Sequence, residues 1–171
     1  MKKGHLICLA TINDLEAITG IYNYAISSTF ETADTVPFNW KRRKGWFNSH
    51  IPEKYPVFVY KIHDTVAGWV SISPYREGRK ALRLTVEVSY YVHPAYKRQG
   101  IGSSLLAKAV TESTRLEYRT IIAIVLDKNE NSIKLLKKNG FRKWGHLPDI
   151  ADFDGAVCGH VYYGFHCRPL P

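Results

Sequence analysis

Residues 90–107 read Tyr-Tyr-Val-His-Pro-Ala-Tyr-Lys-Arg-Gln-Gly-Ile-Gly-Ser-Ser-Leu-Leu-Ala. This run combines the end of a strand, a basic turn with two glycines and the start of an apolar helix. Gly100 and Gly102 lack a Cβ atom, so successive backbone N–H groups can point at one anion. The helix N-terminus adds its dipole, and Lys97 and Arg98 add positive charge. The stretch therefore predicts a cradle for a diphosphate.

The glycine spacing of this turn excludes the two common nucleotide loops, G-x-G-x-x-G and G-x-x-x-x-G-K-[ST]. Residues 97–102, Lys-Arg-Gln-Gly-Ile-Gly, instead resemble the acyl-CoA loop [QR]-x-x-G-x-[GA] of the GNAT N-acetyltransferases. Lys97 departs from the pattern, since the family usually has Gln or Arg there. The resemblance implies that acetyl-CoA is the co-substrate and that its diphosphate is bound by Arg98, Gln99, Gly100, Ile101, Gly102 and Ser103.

The strand before the loop alternates cleanly over residues 82–93, with apolar side chains on one parity and polar ones on the other. An acetyltransferase of this family pairs such a strand with the pantetheine arm and uses an N–H near Val92 for the thioester oxyanion. The resemblance thus implies that Tyr90, Tyr91 and Val92 bind the cofactor and that the polar parity faces substrate. The residues alone also fit a half-solvated strand.

A second stretch, residues 127–141, contains a capped short helix, a glycine stop and an aromatic residue. It resembles the N-x-x-[SA]…G-F signature of the same family, with Asn129 and Ser132 as the matching residues, which the resemblance assigns to the cofactor site. The family usually places a tyrosine proton donor seven residues after the asparagine. Leu136 stands there instead.

The composition predicts one domain over residues 1–171, because 45% hydrophobic content in this length supports one core. No charged-then-apolar leader, long apolar run or repeat is present, which favours a cytoplasmic protein without a membrane partner. The spacing of Cys8, Cys158 and Cys167 suits neither disulfides nor zinc, so free thiols and no metal are expected.

The formal charge of +9 raises nucleic acid or an acidic molecule as partners. No nucleic-acid-binding motif is visible, and coenzyme A is itself a polyanion, so the sequence favours acetyl-CoA over nucleic acid. The basic cluster at residues 41–44 is predicted on the exposed side of a short helix between Trp40 and Trp46.

The hydrophobic periodicity predicts strands over residues 5–12, 57–62, 65–73, 84–92, 120–126, 142–150 and 157–167, and helices over 13–25, 39–50, 101–117 and 132–138. This order matches the GNAT fold along essentially the whole chain. The predicted fold class is α/β, a mixed, mostly antiparallel sheet of about seven strands with helices on both faces. Short segments such as Thr85-Val86-Glu87 and residues 140–145 look like the phosphinothricin and methionine-sulfoximine acetyltransferase group.

Acetyl transfer to an amine needs a base, a polarised thioester carbonyl and a proton for the departing thiolate. The resemblance places the base at Glu87, which a strand beside an apolar pocket could make more basic. The other interpretation is that Glu87 merely pairs with Arg83. Because Leu136 cannot donate a proton, we expect water, or Tyr162 or Tyr163 of the last strand, to reach the sulfur.

An amino-acid-like substrate also needs its carboxylate bound, for which Arg83 is the best-placed basic residue. The resemblance places Phe30 and Glu31 in a substrate loop and Lys80, Ala81 and Leu82 in the same wall as Arg83. Relatives commonly dimerise, and residues 162–165 are the expected interface. A peptide N-terminal acetyltransferase, or an acyl-CoA-binding or nucleic-acid-binding module, remains as the alternative.

Overall fold

The computed structural model describes residues 4–168. Along the chain it contains β1 (His5–Leu9), α1 (Leu15–Ser27), α2 (Lys44–Ser49), β2 (Val57–Ile62), β3 (Thr65–Pro74), β4 (Thr85–Val92), α3 (Ile101–Arg115), β5 (Thr120–Leu126), α4 (Glu130–Lys138), β6 (Arg142–Phe153) and β7 (Ala156–His166). No helix within these residues is long and apolar enough to cross a membrane.

The seven strands form one sheet in the order β1-β2-β3-β4-β5-β7-β6. Only β4 and β5 are parallel, so the predicted mixed, mostly antiparallel sheet is confirmed. The parallel pairing joins Thr85–Glu87 to residues 120–122 and goes no further. Beyond Glu87 the two strands separate, and this separation leaves a cleft in the middle of the sheet.

Helices cover both faces of the sheet, as predicted. On one face α3 and α4 pack on apolar residues of β3, β4, β5 and β7; the largest cluster of buried side chains includes Val86, Val88, Leu105 and Leu136. On the other face α1 contributes Ile18 and Ile21, which pack on Val57, Val59 and Trp69, while Trp46 and Phe47 of α2 cover the edge of that cluster. The two faces of β4 therefore have different neighbours.

Gly68 lets α3 approach the sheet closely. A Cβ atom there would lie 2.9 Å from the carbonyl oxygen of Tyr91 and 3.1 Å from a methyl carbon of Leu105. Real Cβ atoms essentially never approach backbone that closely. The glycine thus fixes the height of the α3 N-terminus above β3 and β4.

Most predicted boundaries agree with the structure within a few residues, including the hairpin of β2 and β3. The first strand is shorter than predicted. It ends at Leu9 because Thr11 and Asp14 form a capping box, and residues 12–14 turn into α1. The turn between β6 and β7 is tighter than predicted, with Asp154 and Gly155 both at positive φ.

Two predictions about surface residues are wrong. Arg43 was expected in an exposed basic cluster, but only 8% of it is exposed, because its guanidinium stacks on Tyr22 and Trp46 at 4.6 and 4.2 Å from the ring centroids. Residues 162–165 were expected to form an interface, but β7 is an inner strand between β5 and β6, and Tyr163 is fully buried.

Candidate active site

The separation of β4 from β5 produces a cleft of about 450 Å³. Its walls come from β4, the turn after it, the start of α3, β5 and α4. Among the predicted cofactor-binding residues, all except Gln99 line it: Tyr90, Tyr91, Val92, Arg98, Gly100, Ile101, Gly102, Ser103, Asn129 and Ser132. Sequence reasoning missed several further lining residues, among them Tyr96, Asn131 and Lys138. Lys138 continues the basic end of α4, a signal visible in the sequence.

The basic turn presents a row of free backbone amides to this cleft. Arg98 has a φ of 63° and Gly100 a φ of 85°, so the chain alternates between left- and right-handed conformations before α3 begins. The N–H groups of residues 98–103 donate no hydrogen bond to any group in residues 4–168. Successive amides in such a turn form a concave anion site, to which the N-terminus of α3 adds its dipole. The turn therefore fits a diphosphate.

The two glycines of the turn have different structural reasons. At Gly100 a Cβ would meet nothing within 4 Å, but the left-handed backbone favours glycine. At Gly102 a Cβ would lie 2.7 Å from a methyl carbon of Leu135. Gly102 thus allows α4 to pack against the start of α3, a contact that the sequence did not reveal.

The α4 wall of the cleft is fixed by its own cap and by a contact with β4. The Asn129 side chain accepts a hydrogen bond from the Ser132 backbone N–H at 3.1 Å and begins the helix. The Tyr90 hydroxyl lies 2.5 Å from Ser132 Oγ, so it bridges the two walls. Burial raises the pKa of Tyr90, and the hydroxyl keeps its proton at neutral pH.

The loop after α1 reaches the mouth of the cleft. Glu31 lines it and pairs with Lys97, whose Nζ is 2.5 Å from Glu31 Oε1. Phe30 adopts a positive φ, packs edge-on against Phe153 with 5.3 Å between ring centroids, and lies under the Lys128 ammonium. The predicted substrate loop is therefore held between the diphosphate turn and the β6–β7 hairpin.

Glu87 lies on the polar face of β4, opposite Ser73 of β3. The carboxylate is half-buried, and removal from water raises its pKa above the ordinary value. No basic group of residues 4–168 forms an ion pair with it. Arg83 is exposed and donates to the Lys80 carbonyl oxygen at 3.4 Å, so the alternative pairing of Arg83 with Glu87 is absent.

Two residues in and beside α2 were missed from the sequence. His50, at the end of α2, lies 3.0 Å from Ser73 Oγ through Nε2 and 2.7 Å from the Trp46 carbonyl oxygen through Nδ1. Arg43 is buried between aromatic rings, and its Nη1 has no hydrogen-bond partner in residues 4–168. Both lie in a segment whose lysines and arginines predict a solvated surface. Their burial becomes visible only in the packing of α2 on the sheet.

The predicted proton donors occupy other positions. Tyr163 is buried among the apolar residues under α3 and α4, whereas Tyr162 lies half-buried on the face that carries Glu87. Neither lines the cleft. Leu136 is fully buried in the same core as Tyr163. Of these residues and Tyr90, only Tyr90 brings a hydroxyl group to the cleft wall.

The remaining predicted substrate residues precede β4. Lys80, Ala81 and Leu82 form a short 3-10 turn in which the first two are exposed and Leu82 is half-buried. Residues 4–168 contain no cluster of three His, Cys, Asp or Glu side chains suited to a metal ion. The arrangement offers an anion turn, a slot with free strand edges and a desolvated carboxylate beside it, which together suit the transfer of an acyl group from a phosphate-bearing carrier to an amine.

Comparison with known proteins also indicates an acyl transfer reaction. Residues 19–141 match the model of the Acetyltransferase (GNAT) family. A Bacillus subtilis (strain 168) protein, YwnH, named provisionally as a phosphinothricin acetyltransferase, is 40% identical over 148 residues, 86% of this chain and 90% of its own length. The L-methionine sulfoximine/L-methionine sulfone acetyltransferase of Salmonella typhimurium is 31% identical over 137 residues, 80% of each chain.

Solved structures resemble the whole fold. The phosphinothricin acetyltransferase (Pat) of Sinorhizobium meliloti, solved in complex with AcCoA, superposes with a TM-score of 0.89 at 26% identity. The superposition covers 95% of this chain and 88% of that one.

Proposed function

Because this chain belongs to the GNAT acetyltransferase family and is an N-acetyltransferase, we propose that it transfers the acetyl group of acetyl-CoA to the α-amino group of a small amino-acid-like molecule of the phosphinothricin or methionine sulfoximine/sulfone type. The main observation behind this proposal is the carboxylate of Glu87, which is desolvated and has no ion-pair partner within residues 4–168. It lies next to a cleft whose turn offers free amides to a diphosphate. The relatives named above support this substrate class, because this chain covers most of the length of each of them.

The turn at residues 98–103 binds the diphosphate in this proposal. Its free amides supply hydrogen bonds, and Arg98, Lys97 and Lys138 supply positive charge at the cleft wall. Farther into the cleft, β4 has no strand partner on its β5 side beyond Glu87. Strand backbone groups point alternately to the two sides, and those of Tyr91 face Trp69 of β3, so the groups at Tyr90 and Val92 are the ones available to pair with the pantetheine arm and to polarise the thioester carbonyl. Asn129 and Ser132 complete the α4 side.

Glu87 acts as the general base in this proposal. An ammonium group must lose a proton before it attacks a thioester, and a carboxylate with a raised pKa accepts that proton more readily than an ordinary surface carboxylate. In the part of the chain that the structure describes, residues 4–168, Glu87 has no ion-pair partner to lower its basicity. Arg83 is proposed to bind the substrate carboxylate, and Phe30, Glu31 and residues 80–82 to shape the pocket.

The departing sulfur needs a hydrogen-bond donor. We assign this role to Tyr90, because its hydroxyl lies in the cleft wall and stays protonated, whereas Leu136 is buried and Tyr162 and Tyr163 do not line the cleft. A donor that stabilises developing charge accelerates departure even when its proton is not fully transferred.

A homodimer working in the cytoplasm completes the proposal. Among the strands of residues 4–168, the outer strand β6 has one edge without a partner and exposes Trp144, Leu147 and Ile150, so it replaces residues 162–165 as the proposed interface. Cys8, Cys158 and Cys167 are free thiols, as expected in a reducing compartment.

Thiol release from acetyl-CoA over a panel of amines tests the proposed reaction. The panel contains phosphinothricin, methionine sulfone, methionine sulfoximine, polyamines and ribosomal N-terminal peptides. We expect release with the amino-acid analogues, and a fall in kcat of about 10² to 10⁴ in Glu87→Gln with acetyl-CoA affinity kept. Glu77→Gln, at an exposed turn, is the matched control. Release with peptides alone, or none despite tight binding, would contradict the proposal.

A further inference from the structure

The polar face of β3 and β4 carries a group that the proposed reaction does not use. His50 connects α2 to the sheet by two hydrogen bonds, one to the Trp46 carbonyl oxygen and one to Ser73. Ser73 is the direct cross-strand neighbour of Glu87. Cβ atoms of such neighbours lie roughly 4.5 to 5.5 Å apart, within reach of a hydrogen bond between a serine hydroxyl and a glutamate carboxylate.

The direction of each hydrogen bond follows from the chemistry of the acceptors. A carbonyl oxygen only accepts, so His50 Nδ1 carries a proton and donates it to Trp46. In the neutral ring Nε2 is then an acceptor, and the Ser73 hydroxyl donates to it at 3.0 Å. A serine hydroxyl has a single proton. The proton held by His50 is therefore unavailable to Glu87.

The surroundings of His50 keep its ring neutral. Burial lowers its pKa, the bond to Trp46 acts in the opposite direction, and the buried Arg43 guanidinium lowers the pKa further. The groups that face His50 are the Trp46 carbonyl of α2, Arg43 just before α2, and Ser73 of β3. Burial alone raises the pKa of Glu87, and no hydrogen bond from Ser73 contributes.

We propose that His50 is a positioning residue for Glu87: it holds the hydroxyl proton of Ser73 and so leaves the Glu87 carboxylate without a donor. Ser73 then donates no proton to Glu87, so the carboxylate lacks the hydrogen bond that would stabilise its charged form against the protonated acid that forms when substrate loses its proton. The catalytic meaning of this device rests on the proposed function, but its effect on Glu87 can be measured without turnover.

The test is a titration of the Glu87 carboxyl by ¹³C NMR, assigned with Glu87→Gln, together with the pH profile of kcat. His50→Phe keeps the aromatic contact with Trp46, whose ring centroid lies 4.5 Å from that of His50, but removes both ring nitrogens. Ser73 is then free to donate to Glu87. A donor to the charged form lowers the pKa, so we expect the titration and the acid limb of kcat to move down by about one pH unit.

A second change separates positioning from general damage. Ser73→Ala removes the hydroxyl, so the double variant His50→Phe/Ser73→Ala should return to the parental Glu87 titration. In His50→Gln the side-chain oxygen can accept from Ser73, so this variant should also stay near the parental titration. A lowered pKa that persists in the double variant, or no change in His50→Phe, overturns the proposal.

Ser73→Ala alone tests the proposal even if His50→Phe does not fold. If Ser73 already donated to Glu87 in the parent, its removal would raise the Glu87 pKa, and this result also overturns the proposal. A parental Glu87 titration in Ser73→Ala is the expected result. If the acid limb of the kcat profile survives in Glu87→Gln, this result would contradict the role of Glu87 as general base. The NMR titrations would still decide the role of His50.

Discussion

At the residue scale, the site depends on polar groups that the fold leaves without partners. Within residues 4–168 Glu87 forms no ion pair, and its removal from water raises its pKa, whereas several other acids are held by basic side chains. Glu112, for comparison, is held between Lys108 and Arg115 at 2.6 Å each, and these contacts lower its pKa despite burial. The same residue type is thus the proposed base at one position and an ion-paired anion at the other.

The Tyr90 hydroxyl gives a residue-scale prediction. Tyr90→Phe keeps the ring in the cleft wall but removes the proposed donor to sulfur, so we expect kcat to fall about tenfold, ~1.4 kcal/mol of barrier, at unchanged acetyl-CoA affinity. Steady-state kinetics and calorimetric titration measure both quantities. Tyr162→Phe and Tyr163→Phe are the matched controls and should stay within about twofold. A larger loss in Tyr162→Phe than in Tyr90→Phe would move the role to Tyr162.

At the element scale, the junction of the basic turn and α3 is proposed to bind the diphosphate through its backbone. Gly100 ends the turn in a left-handed conformation, and α3 begins at the next residue with its first amides free. Any residue type can supply an N–H group, but few tolerate this backbone conformation. The glycine is therefore required by geometry even though nothing surrounds the place of its missing Cβ.

Gly100→Ala tests this requirement. A left-handed alanine costs about 1 kcal/mol, so we expect a lower free energy of unfolding in urea and weaker acetyl-CoA binding by roughly tenfold as the turn shifts its amides. Gly20→Ala in α1 is the matched control, because a Cβ there meets nothing within 4 Å. It should stabilise the protein by about 0.5 to 1 kcal/mol and leave binding unchanged. Equal binding by both variants would place the diphosphate elsewhere.

At the scale of the whole molecule, one local break in the sheet organises the rest. The parallel pairing of β4 and β5 stops after three residue pairs, and the cleft, the free edge of β4 and the diphosphate turn all lie beyond that point. Helices α1 and α2 cover the Glu87 face, while α3 and α4 cover the other. The sheet therefore separates the face that carries Glu87, where we propose that substrate binds, from the face under α3 and α4, and the cleft opens between β4 and β5.

The free edges of the sheet give a prediction about assembly. If β6 forms the homodimer interface, Ile150→Arg, at a residue 54% exposed, should convert a dimer into a monomer with the chain mass of 19.6 kDa. Leu6→Arg is the matched control on the opposite edge strand β1, where Leu6 is 51% exposed, and it should remain dimeric. Light scattering after size exclusion measures both. A parental monomer, or dissociation only in Leu6→Arg, would contradict this interface.

The sequence by itself determined the elements and the diphosphate turn. Strand alternation, helix periodicity and the two glycines are local patterns, and they predicted the order of elements and the mixed sheet; nearly all of the residues that they assigned to the cofactor line the cleft. Local signals suffice for these features because hydrogen bonding and turn conformation depend on near neighbours. The predicted position of Glu87 on the polar parity of β4 follows from the same two-residue period.

Only the tertiary structure decided which groups meet across elements. The burial of Arg43, the bond of His50 to Ser73, the place of Tyr90 beside Ser132 and the inner position of β7 join residues distant in the chain. A basic run or a lone histidine has the same local pattern whether it faces solvent or the sheet. The docking angle of a helix and the order of strands settle that question, and both depend on packing of the whole core.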